Sequence, residues 1–232
     1  MSKDVRDNWW RMMKKGRYRA LRNLPAGWVI QVLHGIDRTE RWSRIILEIV
    51  AVLIMSNIMR NTLHTSLFVS CLLGFMIVHT LSWFFVGNFW VYMLDSFQWV
   101  KNPGIDGVIR FVQLTRRAYE RNDSCDAILI YGSMCRRQFH GRSDLDLRIV
   151  RRRDSWKGYL ALITGILLRI YSFFIVMPVD FQVVDSMNFL IHQMREDERP
   201  IVVYQREGFH IENAGVPFEE LERNPNSFLR DN

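Results

Sequence analysis

Two long apolar stretches dominate the first half of the chain. The first runs from Ile45 to Met59 around Glu48, and it reaches spanning length only when extended to Trp42–Leu63. The second runs from Leu67 to Leu94 without a charged side chain. A bilayer core needs about 20 apolar residues in a helix, so the pattern predicts a transmembrane α-helical hairpin over residues 42–100. The alternative is a soluble helical domain with a very apolar core.

Shorter periodic patterns follow in the second half. The turn residues Lys101 to Gly104 end the hairpin, and apolar spacing then predicts a helix from Ile105 to Arg121. Leu145 and Leu147 alternate with polar residues, which is the period of a strand with one polar face. The remaining pattern predicts a strand at 127–131, a helix at about 156–173, a strand at 179–184, a helix at about 187–196 and a strand at 201–204. The fold class is therefore α+β over residues 105–210, after the membrane hairpin.

The chain carries a net charge of +7, and the excess is confined to its beginning. Residues 1–44 contain 11 Lys and Arg against 4 Asp and Glu, and the rest of the chain is balanced. A uniformly basic chain would favour nucleic acid, whereas a basic segment ahead of an apolar one favours anionic membrane lipid. We expect residues 1–41 to form a basic amphipathic or interfacial segment, with a solvated tail as the alternative. No duplex nucleic acid is expected as a partner.

Charge placement also predicts the topology. If both apolar segments span the membrane, the basic head and the second half of the chain lie on the same side. The positive-inside tendency puts that side in the cytoplasm. We therefore expect a multi-pass protein of the inner cell membrane with a cytoplasmic N-terminus.

The candidate chemistry lies between the predicted strands. Gly132-Ser133 follows the strand that ends at Tyr131, and Asp144-Leu145-Asp146 comes ten residues later. Side chains at i and i+2 of a strand point to one face, so the two carboxylates repel unless a cation separates them. Oxygen ligands of this kind suit Mg²⁺, and a Gly-Ser step between strand and helix favours phosphate.

This combination of residues resembles the nucleotidyltransferase superfamily that includes DNA polymerase beta, and most closely its small, minimal members. The resemblance covers residues 105–210 and implies the nucleotidyltransferase fold, a mixed β-sheet with packed helices. It also implies a third carboxylate on a later strand. Asp180 in the strand Pro178–Val184 fits this position, whereas Asp185 lies past the apolar run with the opposite parity.

The resemblance implies roles for individual residues. The catalytic carboxylates would be Asp144, Asp146 and Asp180, which would hold two Mg²⁺ ions, with Mn²⁺ as an alternative. The nucleoside triphosphate, ATP among others, would be bound by Gly132, Ser133, Arg136, Arg142 and Ser143. The product would be a nucleoside monophosphate joined to an acceptor, with release of pyrophosphate.

A membrane tether concentrates the enzyme near membrane-bound molecules. We therefore expect a membrane-resident acceptor, namely a lipid or a lipid-linked sugar or alcohol. One alternative is a protein modifier that adds AMP to a membrane-associated partner, and another is a non-catalytic nucleotide sensor.

Two further segments carry expectations. Residues 158–176 imitate a third span, but a span there would separate Asp146 from Asp180, so we expect a helix packed on the sheet. Its high apolarity suggests contact with the hairpin or with a second copy in a homo-oligomer. Residues 211–232 read as a polar C-terminal extension with an acidic helix at Pro217–Arg223 and a frayed end from Asn224 onward.

Overall fold

The protein is described here by a computed structural model that covers residues 24–29, 36–153, 156–192, 198–211 and 214–230. Of the basic segment predicted at residues 1–41, only a helical stretch at 24–29 and residues 36–41, which lead into the first long helix, lie within these residues. The elements, in order, are α1 (Arg38–Leu63), α2 (Leu67–Phe85), α3 (Phe89–Ser96), α4 (Gly104–Asn122), β1 (Cys125–Tyr131), α5 (Gly132–Cys135), β2 (Leu145–Arg151), α6 (Lys157–Phe174), β3 (Val179–Val184), α7 (Met187–Ile191), β4 (Ile201–Gln205), α8 (Phe218–Arg223) and a 3₁₀ turn at Pro225–Phe228.

The second half forms a mixed four-stranded sheet, which confirms the α+β class. The strand order is β3-β2-β1-β4, with β2 and β3 parallel and the other two pairs antiparallel. Helices α4 and α6 contribute to the larger of two apolar clusters, in which Phe111, Tyr119 and Leu168 pack with Phe181 of β3. Helix α6 connects β2 to β3 and packs against β3, as the sequence predicted.

The prediction that the chain frays from Asn224 onward is wrong. Phe228 in the 3₁₀ turn is fully buried in the larger apolar cluster, because its aromatic side chain completes that core. The backbone amide of Phe139 also donates to the Phe228 carbonyl at 3.1 Å. The end of the chain is thereby fixed beside the loop that follows α5.

Helices α1 and α2 pack side by side as a hairpin. A Cβ atom at Gly74 would lie 2.5 Å from Ser56 Oγ, so small residues let the two backbones approach closely. Glu48 of α1 pairs with His79 of α2. Among the described residues, three helices are long and apolar enough to cross a membrane, namely α1, α2 and α6.

The second apolar stretch is divided rather than continuous to Leu94. Helix α2 ends at Phe85, and α3 begins at Phe89 after a turn in which Asn88 has a φ of 57°. Asparagine tolerates this left-handed conformation better than most residues with a side chain, which explains the break at this position. Aromatic rings from both helices then pack on α6, with Phe85 and Phe173 4.9 Å apart. Helix α3 therefore packs against the second half of the chain and does not continue α2.

Strand β3 forms one edge of the sheet and is bound at both ends by the hairpin. At the start of α1, Glu40 accepts a hydrogen bond from the Val183 amide at 2.7 Å. At the end of α2, Asn88 donates to Asp180 at 2.7 Å. Three residues of a strand span about 10 Å, which is close to the separation of two packed helices. The edge strand therefore lies across the ends of both hairpin helices.

Candidate functional site

The predicted carboxylates lie where β2 and β3 begin beside the end of β1. The parallel register of β2 and β3 sets Asp146 opposite Asp180, and the antiparallel register of β1 and β2 sets Tyr131 opposite Asp146. Asp144 precedes β2 by one residue and is partly exposed. The fold thus brings two distant segments of the motif to one end of the sheet.

Gly132 lies directly against the carboxylate of Asp146. A Cβ atom at this glycine would lie 1.8 Å from Asp146 Oδ2, and the residue has a φ of +71°. Both features require glycine, because other residues would collide with the carboxylate and rarely adopt this backbone conformation. The turn into α5 therefore packs against Asp146, one of the candidate metal ligands.

Two hydroxyl groups beside this turn have no hydrogen-bond partner within the described part of the chain. They are Ser133 Oγ and the phenolic oxygen of Tyr131, and both atoms are buried. A buried polar atom without a partner costs roughly 1–3 kcal/mol, so such atoms in a native site point to a ligand or water. Oxygen atoms of a phosphate group would satisfy Ser133.

Arg148 lies between two of the three carboxylates. Its Nη2 donates to Asp180 Oδ2 at 2.6 Å and to Asp146 Oδ1 at 3.4 Å, and its Nη1 donates to the Asp180 carbonyl at 2.6 Å. Asn88 donates to the other carboxylate oxygen of Asp180. The sequence analysis identified neither Arg148 nor Asn88 as a partner of Asp180. Arg148 lies two residues after Asp146 in β2, so the i, i+2 argument could have placed its side chain on the same face of the strand.

The three carboxyl groups differ in the direction in which their pKa values are shifted. Burial, together with the charge of Asp144, raises the pKa of Asp146 to about 7. Burial and the charge of Asp180 also raise the pKa of Asp144. Burial opposes ionisation of Asp180 as well, but the contacts with Arg148 and Asn88 outweigh it and lower the pKa of that carboxyl. For Asp144 and Asp146, burial and the neighbouring carboxylates outweigh the positive charge of Arg148, so this is the pair whose negative charge is least compensated.

The donor set of Asp144 and Asp146 fits Mg²⁺, because hard oxygen ligands with raised pKa values gain most from a divalent cation. Across the described ranges, however, no three His, Cys, Asp or Glu side chains are arranged to hold a metal ion. Asp180, the third carboxylate that the resemblance implies, is hydrogen-bonded to Arg148 instead. Asp144 and Asp146 would hold one ion, and the second ion that the resemblance implies would require Arg148 to leave Asp180.

Two cavities are lined by these carboxylates, one by Asp146 and the other by Asp144. The Asp146 cavity has a volume of ≈210 Å³ and the Asp144 cavity a volume of ≈680 Å³. The first is lined by Tyr131, Gly132, Arg136, Asp146, Arg148, Leu190 and Glu198. The second is lined by Val91, Tyr92, Leu94, Asp95, His140, Arg142 and Asp144. Asp144 and Asp146 are two positions apart in the chain, so the cavity that each lines lies next to the start of β2.

The predicted nucleotide-binding residues are distributed over these cavities. Arg136 lines the Asp146 cavity and pairs with Glu198. Arg142 lines the Asp144 cavity and donates to the Leu94 carbonyl at 2.9 Å. Ser143 is buried and its hydroxyl contacts His140 within the loop, so it lines neither cavity.

The rival carboxylate Asp185 lies away from the site. It follows β3 and contacts Arg151 Nε and Thr39 Oγ1, each at 2.5 Å. Asp180 and Asp185 therefore occupy opposite ends of the edge strand, and Asp180 is the one beside Asp146.

In comparisons of the chain with known proteins, no protein-family model, no curated protein and no solved structure matches it.

Proposed function

We propose that the protein is a membrane-anchored, Mg²⁺-dependent nucleotidyltransferase that moves a nucleoside monophosphate from a nucleoside triphosphate to a membrane-associated acceptor. The observation that carries this proposal is the contact of the Gly132 backbone with the Asp146 carboxylate, beside Asp180. A phosphate-binding turn and a carboxylate pair at one strand end are what nucleotidyl transfer requires. The resemblance to minimal nucleotidyltransferases supports the same assignment.

The Asp146 cavity is the proposed triphosphate site. Ser133 follows Gly132 of this cavity, and its buried Oγ, which has no partner within the described residues, can donate to a phosphate oxygen. Arg136 and Arg148 line the same cavity and supply positive charge toward the leaving pyrophosphate. Bound Mg²⁺, held by Asp144 and Asp146, would neutralise the triphosphate and lower the pKa of the acceptor hydroxyl. The acceptor oxygen bonds to the α-phosphorus, the α–β bond breaks, and a carboxylate of the site takes the acceptor proton.

The Asp144 cavity is the proposed acceptor site. One wall is helix α3, which supplies Val91, Tyr92, Leu94 and Asp95 and is separated from α2 by a turn of three residues. An acceptor in this cavity would therefore lie next to the end of a membrane helix. This supports a lipid or a lipid-linked sugar or alcohol as the acceptor, with the active site and the N-terminus on the cytoplasmic side of the inner membrane.

A second candidate is a membrane-tethered nucleotide sensor without transferase activity. The observation that favours it is the Arg148–Asp180 pair, which engages the third carboxylate with a side-chain cation. A sensor would bind nucleotide in the Asp146 cavity and keep this pair intact.

The test is to incubate the full-length protein in native membranes with each nucleoside triphosphate labelled at the α-phosphate, with and without Mg²⁺. We expect label to enter the lipid fraction only with Mg²⁺. Label in protein would favour the alternative that adds AMP to a membrane-associated partner. Nucleotide binding without transfer to any fraction would overturn the transferase proposal and favour the sensor.

A further inference from the structure

Helix α6 has two faces of different character. Its inner face packs on the sheet through buried Ala161, Leu168 and Ser172. Its other face bears large apolar side chains that are between 43% and 69% exposed. They recur every three or four positions, as one side of a helix does, and we call them the outer stripe: Trp156, Tyr159, Ile163, Leu167, Tyr171 and Phe174.

The outer stripe contains no charge. The two charged residues of α6 are Lys157, which contacts Asp123, and Arg169, which is buried against Glu40. Monomeric soluble proteins rarely expose a contiguous apolar patch of this kind. The stripe therefore requires a partner that is apolar along the whole length of the helix.

The outer stripe is continuous with the hairpin. Phe174 of the stripe packs on Phe85 of α2, with ring centroids 5.8 Å apart. A groove of ≈440 Å³ between α1, α2 and α6 has Ile166 and Ile170 on one side and Leu47 and Leu81 on the other. Leu47 and Leu81 are exposed on the same hairpin surface that would face lipid. A single apolar surface thus extends from the hairpin onto α6.

From this surface we infer that α6 is embedded in one face of the bilayer without crossing it, with the outer stripe toward the acyl chains. The inference rests on the membrane location given to the hairpin in the proposed function. Crossing is ruled out by connectivity, because α6 joins β2 to β3 and these strands pair along their length. Both ends of α6 therefore stay on one side of the membrane.

The bilayer fits the stripe better than a second copy of the chain does. Three of its six side chains are Trp156, Tyr159 and Tyr171, and such aromatic residues favour the boundary between headgroups and acyl chains. A helix that lies in this boundary buries its apolar face by about 5–10 Å. The sheet packed on α6 is then held at headgroup level, which extends the hairpin anchor into the second half of the chain.

The test uses nitroxide labels on the full-length protein in lipid nanodiscs, with Cys71, Cys125 and Cys135 replaced by alanine. Single labels are placed at Ile163→Cys, Leu167→Cys and Phe174→Cys in the stripe. Leu53→Cys is the control on the exposed surface of the hairpin, and Arg117→Cys is the control on the exposed side of α4. Collision rates with oxygen, which partitions into lipid, are compared with those of a water-soluble nickel chelate.

We expect the three stripe labels to collide preferentially with oxygen, as Leu53→Cys does, whereas Arg117→Cys prefers the nickel reagent. The labels at Ile163 and Phe174 should report similar depths, since a crossing helix would separate them by about 16 Å. Preference of the stripe labels for nickel would overturn the inference. Protection from both reagents with spin–spin broadening would overturn it in favour of a second copy.

The controls separate two kinds of failure. If Leu53→Cys prefers nickel, the hairpin is not in lipid and the membrane part of the proposed function fails. If Leu53→Cys prefers oxygen and the stripe labels do not, only the embedding of α6 fails. Each labelled position is exposed, and of the three replaced cysteines only Cys125 lies in the packed core. The melting temperature of the cysteine-free protein, compared with that of the unsubstituted protein, shows whether this replacement is tolerated.

Discussion

Asn88 donates a hydrogen bond from its side-chain nitrogen to Oδ1 of Asp180, 2.7 Å away and 92 positions later in the chain. This bond ties the end of the second hairpin helix to the third candidate carboxylate. It makes Asn88 a positioning residue for the proposed reaction. The apolar hairpin is therefore part of the site's support as well as its anchor.

We expect Asn88→Gly to lower kcat for nucleotidyl transfer by roughly tenfold, because partners of metal ligands typically contribute this much. Glycine retains the left-handed backbone and removes the whole side chain with its amide group. Asn88→Ala removes the amide and also strains the turn, so it should additionally lower the melting temperature. Equal activity of Asn88→Gly and the unsubstituted protein would contradict a positioning role.

The carboxylates give the most direct test of the chemistry. Asp144→Asn, Asp146→Asn and Asp180→Asn are each expected to lower transfer by at least about a hundredfold, since each removes a candidate metal ligand. The matched control is Asp185→Asn, at the other end of β3 and in contact with Arg151. It should keep most of the activity. Near-normal turnover by Asp146→Asn would refute the assignment.

Gly132→Ala tests the contact with Asp146. The added methyl group would collide with Oδ2 of the carboxylate, and the residue would also be strained by its positive φ. Gly208→Ala is the control, because that glycine has a φ of +79° but nothing within 4 Å of the added Cβ. Strain is thus common to both variants. Only Gly132→Ala is expected to lose transfer and Mg²⁺-dependent stabilisation.

The raised pKa of Asp146 makes the stability of the metal-free protein depend on pH. Burial and the charge of Asp144 raise this pKa from 3.8 to about 7, so the fold favours the protonated form. The protonated carboxyl group of Asp146 stabilises the fold fully below about pH 4, and this contribution is lost as the pH rises through about 7. Mg²⁺ binds the ionised form, so it should raise the melting temperature more at pH 8 than at pH 6. Asp146→Asn should reduce this difference, which thermal unfolding at the two pH values would measure.

The topology predicts which positions a membrane-impermeant thiol reagent reaches from outside the cell. Asn61→Cys and Thr62→Cys, in the last turn of α1, should be labelled in intact cells. Asn226→Cys is exposed on the protein surface but should react only after the membrane is opened. Labelling of Asn226→Cys in intact cells would place the second half of the chain outside the cell and contradict the predicted topology.

Local patterns predicted most of the elements, because strand and helix periods depend on neighbouring residues. The alternation around Asp144 and Asp146 indicated their shared face, and parity favoured Asp180 over Asp185. The contact between Asn88 and Asp180 left no local pattern, since it depends on how the hairpin meets the sheet. The position of Arg148 between Asp146 and Asp180 likewise depends on the pairing of β2 with β3. The apolar character of α6 was evident, but its division into a packed face and an exposed stripe required the structure.

The attachment of β3 to both hairpin helices has a consequence for how the protein can be regulated. Glu40 pairs with the buried Arg169 and binds the Val183 amide, so removing α1 would leave a buried charge uncompensated and a strand edge open. Loss of one partner of a buried ion pair typically costs 3–5 kcal/mol. Proteolytic cleavage at Lys101–Pro103 would cut the chain without separating the two parts. Release of the second half of the chain by a single cut in this linker is therefore not expected, because α1 would stay bound to β3 and α6 through Glu40.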